Sequence, residues 1–209
     1  AFGKIIEIIT PSENRKEIDC KTYRRCGGCN LRHVKYEETL KMKQNAVQSL
    51  VNKTLENKIQ VQKTVGMENP LHYRNKAQYP LGLNKEGQPI IGAFANRTHE
   101  VIQMENCLIQ NPRTEEIAKF ILKFIKENNI SIYDETTRKG IFRHIVIKVG
   151  VKTRQIMCVF VINSEVFPKE QELVQVLVNK FHDIKTIVKN INMKNTNVIM
   201  GNKNINIYG

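Results

Sequence analysis

The sequence predicts an α+β fold, a mainly antiparallel sheet with covering helices, plus a cysteine-rich loop. Three observations predict it. Runs rich in β-branched residues outnumber the helical patterns. Three amphipathic helices are spaced between those runs, the last two in the order αββαβ with added hairpins. Three cysteines crowd into the stretch "CKTYRRCGGCNLRH", Cys20 to His33, ahead of the first helix.

The elements follow in order. "KIIEIIT" (residues 4–10) is β-branched and reads as a strand ended by Pro11. "VKYEETLKMKQNAVQSLVNKTL" reads as a helix, with Leu40, Val47, Leu50, Val51 and Leu55 at helical spacings and Glu37 four residues before Lys41. "KIQVQKTVG" (residues 58–66) alternates and reads as a strand. In "YRNKAQYPLGLNKEGQPIIGAFANRTHEVIQ" two β runs flank the turn-former "NKEGQ", a β-hairpin whose strands are expected to carry Arg74, Lys76, Arg97 and His99. "NPRTEEIAKFILKFIKENN" is the clearest helix: Pro112 and two glutamates lie in its first turns, and Ile117, Phe120, Ile121, Phe124 and Ile125 make its buried stripe. "FRHIVIKVG", "RQIMCVFVIN" and "IKTIVKNIN" are strands, "PKEQELVQVLVNKF" a helix, and "NVIMGNKNINIYG" a closing hairpin.

The chain has 209 residues, 41% of them apolar and 25% charged, an ordinary globular mixture with room for a substantial core. No apolar run approaches the roughly 20 residues that span a bilayer. The first residues lack the features of a secretory signal, so a reducing, cytoplasmic setting without disulfides is expected. The net charge is +13. Residues 1–70 carry 13 basic and 8 acidic side chains and residues 111–209 carry 16 and 9, so the excess is spread over a folded body. Such a balance favours a polyanionic partner, nucleic acid above a membrane surface.

The cysteines are spaced Cys-x5-Cys-x2-Cys, and the Gly27-Gly28 pair lets backbone N–H groups turn back toward sulfur. A closed site needs a fourth ligand, for which Cys107, Cys158 and His33 are the candidates. Cys107, in the loop "QMENCLIQ", has freedom to turn, whereas Cys158 inside "IMCVFVI" reads as a small buried hydrophobe. Structural zinc sites usually pair two Cys-x2-Cys knuckles. Three clustered cysteines and a distant fourth suit iron–sulfur ligation better, with zinc left open.

Together, "CKTYRRCGGCNLRH", "YRNKAQYPLG", "IGAFANRTHEVIQMENCLIQ", "RHIVIKVG…QIMCVFVIN" and "NTNVIMGNKNINIYG" resemble the RNA uracil-C5 methyltransferases that act on 23S ribosomal RNA, over nearly the whole chain. The resemblance implies a 4Fe–4S cluster on Cys20, Cys26, Cys29 and Cys107. It also implies a division into residues 1–12, the last strand of an RNA-binding TRAM barrel; 13–35, the cluster-binding loop; and 36–209, a central α+β RNA-binding domain. Family members bind S-adenosylmethionine in a Rossmann-like domain that holds the nucleophilic cysteine. No motif of that domain occurs in these 209 residues, so the piece is expected to be inactive alone, and a monomer. Leu31-Arg32-His33 departs from the family's Leu-Gln-His without touching a ligand.

RNA recognition combines base stacking and edge hydrogen bonds with phosphate contacts from Lys and Arg. The candidates are Arg74, Lys76, Arg97, His99, Arg143 and His144; Tyr73, Tyr79 and Phe142 read as core. Arg24, Arg25 and Arg32, around the cysteines, are expected to face either an anionic cluster or phosphate. Two other classes compete: a stand-alone RNA-binding module stapled by zinc or a cluster, and an iron–sulfur electron carrier, which the charge and the single cysteine motif disfavour.

Overall fold

The computed structural model describes residues 5–55 and 59–209, which fall into two compact units. The first comprises Ala1–Tyr23 and Cys29–Pro70, the second Arg24–Gly28 and Leu71–Gly209.

The first unit is built on one long helix, α1 (Tyr36–Leu55), with Glu37 and Glu38 in its first turn and Lys53 in its last, as the helix dipole favours. Leu50 is 65% exposed, and Val47 and Leu55 are exposed too. The face that makes partners is polar. Gln48 accepts from the Val61 N–H (2.7 Å) and donates to the Ile59 carbonyl (2.9 Å), Gln44 donates to the Val61 carbonyl (3.0 Å), and the Tyr36 hydroxyl accepts from the Met67 N–H (2.8 Å). Residues 59–66 are therefore not the expected strand: side-chain amides supply the backbone partners that a neighbouring strand would supply. Lys58 lies outside the described residues. Residues 14–16 and 33–35 are stitched together by Lys16 N–H to His33 O (3.0 Å) and Lys35 N–H to Asn14 O (2.9 Å). Ile5–Thr10 form no strand, and Ile6 and Ile9 are almost fully exposed. A β-branched run needs a paired neighbour to become a strand, and among the described residues this one has none. Ala1–Lys4 lie outside the described residues.

The second unit holds a seven-stranded sheet. Its strands are β1 (Lys76–Leu83), β2 (Pro89–Phe94), β3 (Val101–Gln103), β4 (Phe142–Val149), β5 (Ile156–Ile162), β6 (Ile184–Ile191) and β7 (Lys203–Tyr208), in the spatial order β3-β2-β1-β4-β5-β6-β7. Every neighbouring pair is antiparallel except β5 and β6. That parallel pair needs a crossover, which α3 (Glu170–Lys180) provides. The expected β1–β2 hairpin is present. Its turn is held by Asn84, whose side chain accepts from the N–H groups of Glu86 and Gln88. β2 and β3 approach closely at Gly92, where a Cβ would overlap the Ile102 carbonyl.

The core lies between the sheet and two helices. On α2 (Pro112–Glu127) the residues Ile117, Ile121 and Ile125 are fully buried in one cluster with Ile145 and Ile147 of β4, Phe160 of β5, and Leu173 and Leu177 of α3. Phe142, Phe160 and Phe167 pack with ring centroids 4.9–6.1 Å apart. Asn111 caps α2 by accepting from the Arg113 N–H. Arg113 then clamps Asp183 with two bonds of 2.7 and 2.8 Å and lies over the Phe181 ring, joining α2 to the turn before β6. The guanidinium holds the Asp183 carboxyl below the usual carboxylate range.

The chain end departs from expectation. Residues 198–200 form no strand, so the closing hairpin is β6 with β7 itself. Asn190 and Asn192 organise the long loop between them. Asn192 donates to the Val198 and Ile199 carbonyls, and Asn190 bonds both the N–H and the carbonyl of Gly201. Those bonds occupy the backbone that a further strand would need.

Replacing Phe160 with alanine empties the centre of the aromatic cluster and is expected to lower stability by about 3–5 kcal/mol. Val47→Ala on exposed α1 is expected to change it by less than about 0.5 kcal/mol. Urea denaturation of both variants checks the contrast.

Candidate nucleic-acid interface and cysteine environments

β1 and β4 pair in antiparallel register with Lys76 directly opposite Lys148. Both are exposed, and neither has an ion-pair partner among the described residues. Like charges placed face to face on a sheet repel, and an anion between them relieves the cost. Arg74, also exposed, precedes β1 and makes a long contact (3.5 Å) to the Gly28 carbonyl. These three cations lie on exposed positions near the start of β1 and the end of β4. Lys148 escaped the sequence reading because "IVIKVG" looks like an apolar strand, although its lysine sits where the strand's burial breaks.

Arg97 and His99 do not lie on a strand facing β1. They occupy the loop between β2 and β3, where Arg97 takes a left-handed backbone (φ 61°). Residues 24–28 dock onto this loop: Gly27 N–H donates to Phe94 O (3.2 Å), Asn96 N–H to Arg25 O (3.2 Å), and Arg25 pairs with Glu100 (2.6 Å). The turn formed by "ANRT" ended β2 early, and the apolar residues after it start β3 only at Val101.

Arg143 and His144 were expected on an open RNA-facing strand; they are buried, at 3% and 5% exposure. Arg143 donates to the carbonyls of Asn192 and Lys194 (both 2.9 Å), approaches Glu135 at 3.4 Å and lies 4.2 Å over the Tyr133 ring. It is a strut for the β6–β7 loop. β4 is a central strand with both faces covered along most of its length, so Arg143 and His144 near its start are enclosed, while Lys148 near its end is exposed. His144 packs edge-on against Phe94, and burial, with Arg143 beside it, pushes its imidazole down to about 4. The His144 Nδ1 and Arg143 Nε atoms are buried without a hydrogen-bond partner among the described residues. Each such atom ordinarily costs about 1–3 kcal/mol.

The arginines near the cysteines divide. Arg32 grips Asp19 through two bonds of 2.6 and 2.7 Å, and Arg25 is engaged by Glu100, while Arg24 is exposed. His33 is engaged by the Tyr23 hydroxyl (2.6 Å). No disulfide forms among the five cysteines. Cys20, Cys26, Cys29 and Cys107 are half-buried, whereas Cys158 is enclosed and burial pushes its thiol up to about 12. The Gly28 N–H points at the Cys26 sulfur (3.3 Å), as the glycine turn suggested. The Cys107 backbone is fixed by Glu115, whose carboxylate accepts from the N–H groups of Asn106 and Cys107 (2.8 and 3.1 Å). Burial raises the Glu115 carboxyl, but Lys119 and these two N–H groups outweigh burial and leave it below the usual range. Four accessible thiols are the donor chemistry an iron–sulfur cluster takes. Among the described residues no three Cys, His, Asp or Glu side chains converge as a metal site. No helix there is long and apolar enough to cross a membrane.

Comparison with known proteins places this fold. No protein-family model matches the chain. Over its entire length it is 39% identical to a protein of Staphylococcus aureus strain COL and 42% identical to one of Clostridium acetobutylicum, each named an uncharacterized RNA methyltransferase. The chain is thus similar along its whole length to bacterial proteins named RNA methyltransferases. The chain spans 46% of the length of those two proteins. Its fold matches the crystal structure of the Pyrococcus abyssi tRNA (uracil-54, C5)-methyltransferase in complex with S-adenosyl-L-homocysteine, with a TM-score of 0.68 at 20% identity, covering 95% of this chain and 43% of that one.

The buried His144 predicts an acid response. The unfolded imidazole takes its proton near pH 6.5 and the folded one only near 4, so the unfolded state binds more protons between these values. Stability is fully present above pH 6.5 and is expected to fall by up to about 3 kcal/mol as pH drops to 4. His144→Phe should flatten that window in denaturation curves taken at successive pH values, leaving the carboxylate losses at lower pH.

Proposed function

We propose that these 209 residues are the RNA-binding, cluster-bearing part of an S-adenosylmethionine-dependent methyltransferase that modifies a uracil at C5 in 23S ribosomal RNA, working as a cytoplasmic monomer. The observation that carries this reading is identity of 39–42% along the whole chain to proteins named RNA methyltransferases. The net charge of +13 and the exposed Arg74, Lys76 and Lys148 support an RNA partner. Arg97 and His99 extend that surface from the β2–β3 loop. The sequence has no glycine-rich loop after a strand and no Asp-Pro-Pro segment before a cysteine. These residues by themselves therefore transfer no methyl group, and S-adenosylmethionine is bound elsewhere in the enzyme.

Cys20, Cys26, Cys29 and Cys107 are the proposed ligands of a 4Fe–4S cluster, which when bound supplies four iron–thiolate bonds as a structural staple. The spacing, the resemblance and the accessible thiols support that choice. The Gly28 N–H orients the Cys26 sulfur and Glu115 fixes the backbone at Cys107. Cys158, with its raised pKa in the core, takes no part.

Two measurements test the reading. Protein purified without oxygen is expected to carry about four irons per chain, lost in Cys107→Ser and kept in Cys158→Ser; one zinc in place of iron overturns the cofactor assignment. Titration of a uridine-containing RNA stem-loop is expected to show Lys76→Ala and Lys148→Ala each weakening binding and lowering the salt slope by about one. Equal binding by the double variant removes these lysines from the interface.

A further inference from the structure

A cavity of about 390 Å³ opens in the second unit beside the β2–β3 loop. Leu83 and Phe94 form apolar wall, His99 and Glu135 stand at its polar side, and Arg143 and His144 line its floor. Three features set it apart from a surface dimple. The floor residues are nine-tenths or more buried, and each carries a nitrogen with no hydrogen-bond partner among the described residues. The Leu83 side chain, 52% exposed, is an apolar group left open to solvent at the rim. Glu135, in contact with Arg143 through one oxygen, keeps its second oxygen as an acceptor.

The shape and chemistry match a flat, largely apolar ring with polar edges. The walls are a phenylalanine, whose ring already meets His99 and His144 edge-on (5.5 and 6.0 Å), and a leucine. The carboxylate accepts from ring or exocyclic N–H groups, and a neutral imidazole offers one further polar contact. Two positively charged neighbours would suit a phosphate, but here the one arginine is enclosed and already serves two carbonyls, and the adjacent histidine stays neutral at pH 7. A lone phosphate would also meet the Glu135 carboxylate. Proteins that read single-stranded RNA hold unstacked bases against aromatic rings and bond their edges.

We propose that this cavity receives one unstacked nucleobase of the bound RNA, with Phe94 and Leu83 against its faces and Glu135 accepting from its N–H edge. The inference rests on the RNA-binding reading above and adds a base-reading site separate from the Arg74, Lys76 and Lys148 cations. His99, exposed at the mouth, is a positioning residue that supports the Phe94 ring.

The test compares two probes on the 209-residue chain: a single-stranded RNA decamer of mixed sequence, and inorganic polyphosphate of equal charge, which has no bases. Glu135→Gln and Phe94→Leu are each expected to weaken RNA binding at least fivefold while leaving polyphosphate binding within twofold. Lys76→Ala is expected to weaken both. The His144 ring-nitrogen resonances should shift on adding RNA and stay fixed on adding polyphosphate, a readout independent of whether a variant folds. RNA binding by both cavity variants as in the parent, with unmoved His144 signals, overturns the base pocket and leaves the RNA-binding reading standing. Failure of the parent chain to bind either probe overturns both.

Discussion

The second unit depends on one constraint: β4 is a central strand covered on both faces. Of its eight residues only Lys148 is exposed. A strand in that position has every N–H and C=O in a ladder, here with β1 on one side and β5 on the other, and must carry side chains that tolerate enclosure twice over. Isoleucine and valine meet that demand from Ile145 to Ile147. Phe142 begins the strand beneath the aromatic cluster, and a register irregularity lies between it and His144. That irregularity turns Arg143 toward the β6–β7 loop, where carbonyls rather than water satisfy it. Within this unit α2, the hairpin of β1 and β2 and the crossover of α3 are all arranged around this strand.

The same enclosure sorts the cations by task. Those at the ends of strands and in turns stay in water, where charge is available to a polyanion. Those inside the sheet or at its helical face are consumed by the fold: Lys189 by Glu170, Arg113 by Asp183 and Glu116, Arg143 by backbone carbonyls. A net charge of +13 therefore overstates the charge that a partner meets in any one place, and position along the sheet matters more than count. Cys107 stands apart from the β strands for a related reason. Its loop is organised from the helix side, by a carboxylate in the first turn of α2, so the backbone at this thiol is held by the fold itself.

Much of the architecture was legible because its signals are local. The periodicity of α2, the Pro112 in its first turn, and the turn around Gly87 specify their own geometry within a few residues. The misreadings share a cause in distant partners. Arg143 looks solvent-facing until residues 192 and 194 are folded back upon it. The alternating run at 59–66 looks like a strand until glutamines of α1 take its backbone. Arg97 and His99 were given the right neighbourhood but the wrong element, since a four-residue turn ends β2 before them. For the cysteines, Cys158 sits buried where its apolar neighbours in "IMCVFVI" said it would. The Lys76–Lys148 juxtaposition and the cavity beneath Phe94 had no signature in the sequence, because each is created by pairing strands that are far apart along the chain.

That long-range pairing also sets an order of events in folding. The β1–β2 hairpin and the β5–α3–β6 crossover close over short stretches of chain and can form early. The β1–β4 ladder joins Lys76 to Lys148 and Pro80 to His144, closing a loop of more than sixty residues that contains β2, β3 and α2. Closing so long a loop is entropically slow, and its reward arrives only when both halves of the sheet already present their edges. The seam that brings the two lysines together therefore carries the largest loop-closure cost of any pairing in the sheet.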